Sequence, residues 1–198
     1  FFAGSSEMFG NTAVGASIQH SQDPRSPYAI GKQASFNLVK LYKEIYQIQC
    51  INGILFNHES SLRDENFVTH KIISGAIECS RNKSHKIKLG NINISRDWGW
   101  AEEYVEAMQL ITKAEILKDQ VICTGKLSKL TTFIEIAFRK LNLNWEDHVI
   151  TDQSLSRAKD IKISFGNPNQ LEKDLQWKAK VFLNEIIDNL IQSKLNGF

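Results

Sequence analysis

Cys50-Ile51-Asn52-Gly53-Ile54-Leu55-Phe56 is a short, mostly apolar run that stops at the polar string Asn57-His58-Glu59-Ser60. A strand that is apolar on both faces needs cover on both, and a parallel sheet flanked by helices provides it. Gln120-Val121-Ile122-Cys123-Thr124-Gly125 is a second such run, and Phe1-Phe2-Ala3 reads as the end of a third, leading into Gly4-Ser5-Ser6-Glu7. Amphipathic helices separate these runs. One is expected from Pro27 to about Gln47, where Phe36, Val39 and the pairs Leu38/Tyr42 and Leu41/Ile45 mark a core face. Others are expected from Asn66-Phe67-Val68 to about Arg81, from Ala101 to about Lys113, from Lys129 to about Leu141, and from about Val181 to Leu195. The alternation predicts an α/β fold, the C-terminal part of a doubly wound, Rossmann-like parallel sheet, with later segments forming a smaller substrate-binding lobe. In such sheets ligands bind beyond the carboxyl ends of the strands, so Gly4 to Glu7 and Asn57 to Ser60 are the places to look for a site.

Between the first strand and the first helix, residues 11–24 are polar and aperiodic, as a surface loop should be. At its end, Ser26 suits a helix N-cap and Pro27 the first helical position, where its missing N–H costs nothing. Tyr28 and Lys32 then lie one turn apart on one face. A phenol carries protons poorly near neutral pH, but a nearby ammonium favours the phenolate, so this pair makes a general acid/base. By itself a Tyr four residues before a Lys is common on surface helices, and the surrounding residues decide its meaning.

Ser26-Pro27-Tyr28-x-x-x-Lys32, preceded by the strand-like Phe1 to Glu7, resembles the catalytic helix of the extended short-chain dehydrogenase/reductases. Three further motifs narrow the resemblance to the GDP-mannose 4,6-dehydratase family. They are Gly53 to Ser60; Leu89-Gly90-Asn91 followed by Arg96-Asp97-Trp98-Gly99 and Tyr104 to Met108; and Ser156 to Asp160 with Gly166-Asn167-Pro168 and Leu175-Gln176-Trp177. The resemblance covers nearly the whole chain and implies a single partial domain. About residues 1–60 would end the dinucleotide-binding sheet, and about 61–198 would be mostly substrate lobe.

It also implies roles. Tyr28 and Lys32 would be catalytic and touch the cofactor, Glu7 would be the base at sugar carbon 5, and Ser5 would assist it. Leu55, Asn57, His58 and Arg63 would line an NADP site. Asn57, Val68, Lys71, Asn91, Arg96, Arg157 and Asp160 would hold GDP-mannose, the arginines because a guanidinium grips phosphate bidentately. A homo-dimer or homo-tetramer and a cytoplasmic location go with the family. Five departures from its pattern stand out: Ser5 for threonine, Ser61 for proline, His70 for a second basic residue, Asp160 for glutamate and Asn167 for aspartate. No Gly-x-Gly-x-x-Gly follows a strand, so the expectation is the C-terminal portion of a longer chain.

Two other readings compete: an epimerase or reductase of the same fold, which needs Tyr28 and Lys32 but has less use for Glu7, and a non-catalytic module that binds a nucleotide or a partner. Without its neighbours in the motif, Arg96-Asp97 would read as a surface ion pair. Composition narrows the rest. A net charge of +2 with scattered basic residues lacks the basic stripe of a nucleic-acid binder. No run approaches the ~20 apolar residues of a membrane span. Cys50, Cys79 and Cys123 are odd in number and far apart, which suits reduced thiols and not a disulfide frame or a metal cluster.

Overall fold

The computed structural model describes residues 1–155 and 160–197. Three parallel strands form its centre: β1 (Phe2–Ser5), β2 (Asn52–Leu55) and β6 (Gln120–Ile122), in the order β1-β2-β6. The register pairs Gly4 with Ile54 and Leu55 with Ile122. Side chains alternate across this sheet as a pleat requires. Ile54, Phe56 and Val121 pack on one face with Met8, Phe9 and Phe36, while Ile51 and Ile122 pack on the other with Tyr104, Ile111, Leu171 and Trp177. Each such fully buried side chain contributes about 1.5–3 kcal/mol of burial free energy. The sheet is therefore covered on both sides, as the apolar runs predict.

A 3-10 turn (Ser6–Phe9) follows β1, and helix α1 (Pro27–Tyr46) crosses back to β2. A second sheet is built around β5 (Ser95–Trp100). Its carboxyl half pairs in parallel with β3 (Asn57–Glu59), and its first half pairs antiparallel with β7 (Leu127–Lys129) and parallel with β9 (Ile163–Ser164). A two-stranded ladder joins β4 (Ile87–Leu89) to β8 (Val149–Thr151). Helices α2 (Val68–Arg81), α4 (Leu130–Lys140) and α6 (Leu183–Leu195) pack together over Trp98 and Trp100 in the largest apolar cluster. Helices α3 (Ala101–Lys113) and α5 (Asn169–Leu175) cover the far face of the central sheet.

Two sequence expectations need correction. The core face foreseen on α1 holds only for Phe36: Val39 is half-buried, and Leu38, Leu41, Tyr42 and Ile45 are exposed. The reason is position, since α1 packs chiefly on β1 and the 3-10 turn, and β1 is the edge of its sheet. Residues 11–24 are not simply a surface loop, because Thr12 and Ala16 are fully buried. Thr12 Oγ1 accepts from Phe165 N at 2.9 Å, and Asn167 N donates to Ala16 O at 2.9 Å, so the segment is stitched to residues 163–167. Asp97 is 0% exposed, so the surface-pair alternative set aside above does not hold.

Candidate active site

The 3-10 turn after β1 carries the first acid. Ser5 caps this turn by accepting from Glu7 N at 3.3 Å, and Gly10 ends it at a φ of 67°. A Cβ on Gly10 would stand 2.4 Å from Asp23 O, so only glycine lets the chain close here. At the start of α1, Ser26 Oγ accepts from Ala29 N at 3.1 Å and donates to Glu7 Oε2 at 3.2 Å. One hydroxyl thus caps the helix that carries Tyr28 and holds the carboxylate beside it. The cap is legible in the sequence; the link to Glu7 is not, although a capping hydroxyl always has its own hydrogen left to donate.

Tyr28 is half exposed, and Lys32 lies one turn further along. Lys32 Nζ donates to Ala3 O at 2.8 Å and stands 5.7 Å from the centroid of the Tyr28 ring and 5.2 Å from that of Phe2. The edge strand therefore anchors the ammonium alongside the phenol. Across the cleft, His58 Nδ1 is 2.8 Å from Phe56 O; a carbonyl only accepts, so this nitrogen carries a proton. Burial holds the pKa of His58 below its usual value, against the hydrogen bond to Phe56 O and with the Arg63 charge adding to the effect. The ring rests 4.9 Å from that of Tyr104, whose own buried hydroxyl is driven well above the usual phenol range by desolvation.

These groups line two neighbouring cavities. The first, of about 590 Å³, is lined by all eight of the expected catalytic and cofactor residues: Ser5, Glu7, Tyr28, Lys32, Leu55, Asn57, His58 and Arg63. The second, of about 410 Å³, takes in Asn57, Val68, Lys71, Asn91, Arg96 and Asp160, with Glu7 on its edge. Glu7, Asn57, Arg63, Phe67 and Arg96 belong to both, so the two spaces share a wall. Arg157 lies outside the described residues, as do its neighbours Ser156, Ala158 and Lys159. Among the described residues no cluster of His, Cys, Asp and Glu could hold a metal, and no helix is long and apolar enough to cross a membrane.

Strand β5 sets one wall of the second cavity. Arg96 Nη1 donates to Ser95 O at 2.9 Å, and Nη2 is 4.0 Å from Asp160 Oδ1. The next residue, Asp97, faces the other way and accepts from Thr124 N and Oγ1, Gly125 N and Gly166 N at 2.9, 2.6, 2.8 and 3.4 Å. Burial pushes its carboxyl above the usual range, while these bonds pull it back. The acid joins β5 to the loops after β6 and β9, and so fixes the strand on which Arg96 sits. Sequence reading assigned no such role to it. Phe67 was also missed: it is half exposed, with the Arg63 guanidinium carbon 3.8 Å from its ring centroid.

Comparison with known proteins gives the family. The chain is 39% identical over 193 residues to GDP-mannose 4,6 dehydratase 1 of Arabidopsis thaliana, covering 98% of this chain and 54% of that protein. It is 32% identical over 187 residues to the GDP-mannose 4,6 dehydratase of Homo sapiens, covering 86% and 50%. It thus spans about half the length of the curated relatives it matches. Among solved structures, dTDP-glucose 4,6-dehydratase of Bacillus anthracis in complex with NAD superposes with a TM-score of 0.87 at 15% identity, over 98% of this chain and 61% of that one. RMD of Pseudomonas aeruginosa complexed with NADPH gives 0.82 at 20%, over 96% and 64%. UDP-glucuronic acid 4-epimerase of Bacillus cereus, with UDP-glucuronic acid and NAD, gives 0.87 at 13%, over 99% and 61%. The family model for GDP-mannose 4,6 dehydratase matches residues 1–190, and the chain belongs to that family.

Proposed function

We propose that the protein is a nucleotide-sugar dehydratase that converts GDP-mannose to GDP-4-keto-6-deoxymannose with a recycled NADP. The observation that carries this reading is the position of Glu7. Its carboxylate lines the same cavity as Tyr28 and Lys32 and is tied through Ser26 to the helix that bears them. An epimerase or a reductase of this fold has little use for a second acid there, whereas elimination of water needs a base for carbon 5.

The larger cavity suits the nicotinamide end of a cofactor, because hydroxyl, ammonium, amide and imidazole groups converge on it with the apolar Leu55. Bound there, a nicotinamide cofactor would supply a hydride acceptor for sugar carbon 4 and a donor for carbon 6. The assignment of NADP follows the NADPH complex of the Pseudomonas neighbour, with NAD, as held by the dehydratase and epimerase neighbours, as the alternative. Tyr28 takes the proton from the hydroxyl at carbon 4, with the Lys32 ammonium beside its ring. The ketone acidifies carbon 5. Glu7 removes that proton and gives it to the hydroxyl at carbon 6, which leaves as water, with Ser5 and Ser26 as hydroxyl neighbours; a solvent-derived proton re-enters carbon 5 once carbon 6 is reduced. On the other side of the shared wall, Arg96 and Lys71 offer cations to the diphosphate, while Val68, Asn91 and Asp160 line the space for sugar and nucleoside.

In this reading about residues 1–60 end the cofactor-binding sheet, and about 61–198 are mostly the substrate lobe, with β6 returning to the sheet. The protein works as a homo-dimer or homo-tetramer in the cytoplasm. Product analysis tests the reading: the full-length protein, given GDP-mannose and NADP, should yield a 4-keto-6-deoxy sugar nucleotide. An epimerised or reduced sugar retaining its 6-hydroxyl would replace it with one of the related activities, and binding without turnover would leave a binding module.

A further inference from the structure

Glu59 closes β3 with a carboxylate that is 1% exposed and borders the second cavity, and none of the roles given above uses it. Its Oε2 accepts from Thr69 Oγ1 at 2.8 Å. Arg63 Nε lies 3.3 Å from the same oxygen, an ion pair that falls short of an aligned hydrogen bond. Arg63 Nη1 donates to His58 O at 2.8 Å, and the guanidinium sits over the ring of Phe67. Arg63 and Phe67 both belong to the wall shared by the two cavities. Glu59 and the His58 carbonyl thus hold the guanidinium from behind, leaving its other N–H groups for a ligand.

We propose that Glu59 is a positioning residue, which holds Arg63 over Phe67 as the wall where the cofactor-side and substrate-side cavities meet. This rests on the reading of those cavities given above. Burying a carboxylate is costly, and nothing in the packing alone requires one here. Desolvation raises the pKa of Glu59 to about 7, against the opposing pull of the Arg63 charge and the Thr69 hydroxyl. The other titratable or charged groups around it are His58 on its own strand, Tyr104 on α3, and Glu7, Lys71, Arg96 and Asp160 lining the same cavity.

The sign of the linkage separates positioning from stability. An acid whose pKa is raised on folding contributes stability that is complete below its unfolded value of 4.5 and is lost as pH rises through about 7. Above that pH the ionised Glu59 costs stability, yet it is the ionised form that holds Arg63. Glu59→Gln should therefore raise the melting temperature at about pH 8 while weakening binding.

Calorimetric titration of the full-length protein with NADPH and with GDP-mannose tests this. Glu59→Gln should lower affinity for at least one ligand roughly tenfold at about pH 8, the scale of a charged hydrogen bond. The loss should shrink at about pH 6, where wild-type Glu59 is itself largely protonated, and should vanish in an Arg63→Ala background. Unchanged or tighter binding, or an equal loss with Arg63 absent, would overturn the proposal. So would a weaker affinity accompanied by a lower melting temperature at about pH 8, which would make Glu59 a structural acid. Nitrogen NMR relaxation of Arg63 Nε provides a reading without ligand: ordered in wild type at about pH 8, mobile in Glu59→Gln. Equal order in both would sink the proposal even if neither ligand binds, whereas absence of binding with the relaxation difference intact would sink only the dehydratase reading.

Discussion

Arg96 and Asp97 are adjacent in sequence and serve opposite sides of β5, because successive residues of a strand point to opposite faces. Without the surrounding motif they would read as a surface ion pair; folded, one lines the second cavity and the other is sealed in the core with backbone donors around it. The motif pointed to the arginine as a cavity residue, and Arg96 does line the second cavity. The acid's role was not legible, because its donors come from Thr124, Gly125 and Gly166, which are distant in sequence and carry no mark of the pairing. We predict that Arg96→Ala in the full-length protein weakens GDP binding by about 1.5–3 kcal/mol, the worth of a hydrogen bond to a charged group. Equilibrium titration with GDP checks it, and an affinity equal to wild type would remove Arg96 from the substrate site.

Helices were legible to within a residue or two where the apolar period was strong. The spacing predicted Ala101 to Lys113 and an end at Arg81, and α3 and α2 have those bounds. Strand β5 was not foreseen, since Ser95-Arg96-Asp97-Trp98-Gly99-Trp100 is neither an apolar run nor a clean alternation; its three ladder partners impose the conformation. Short elements such as α5, β7 and β9 carry too few residues to show a period. Helix α1 shows what periodicity leaves open: it reports an apolar stripe, not what covers it. Its first turn does specific work through Ser26, which caps the helix and bonds Glu7. Ser26→Ala should cost about 0.5–2 kcal/mol of stability through the lost cap. It should also slow turnover more than ligand binding, because Glu7 loses its donor. Thermal unfolding and steady-state kinetics measure the two effects, and an unchanged turnover number would break the proposed link to the acid.

At the scale of the molecule, a covered sheet core adjoins a helix with an exposed apolar stripe. Leu38, Leu41, Tyr42 and Ile45 are 54%, 46%, 48% and 60% exposed at helical spacing, which is the signature of a contact surface. If copies of the protein associate through it, sedimentation velocity should show a dimer or tetramer for the full-length protein and a lighter species for Leu38→Glu with Ile45→Glu. An unchanged mass in the variant would place the subunit contact elsewhere. We predict that Tyr28 and Glu7, gathered into one cavity and linked through Ser26, serve different steps of the proposed dehydration, Tyr28 the oxidation and Glu7 the elimination. Losing either should cost ~10²–10⁴-fold in product formation. The most direct measurement is a quenched single turnover with GDP-mannose in deuterated solvent. With Tyr28→Phe, neither a 4-keto sugar nor deuterium at carbon 5 should appear. With Glu7→Gln, a 4-keto sugar that keeps its 6-hydroxyl should accumulate with little deuterium at carbon 5. Near-normal turnover by Glu7→Gln would contradict the account, leaving Glu7 a structural acid of the turn and the chain a relative with another activity.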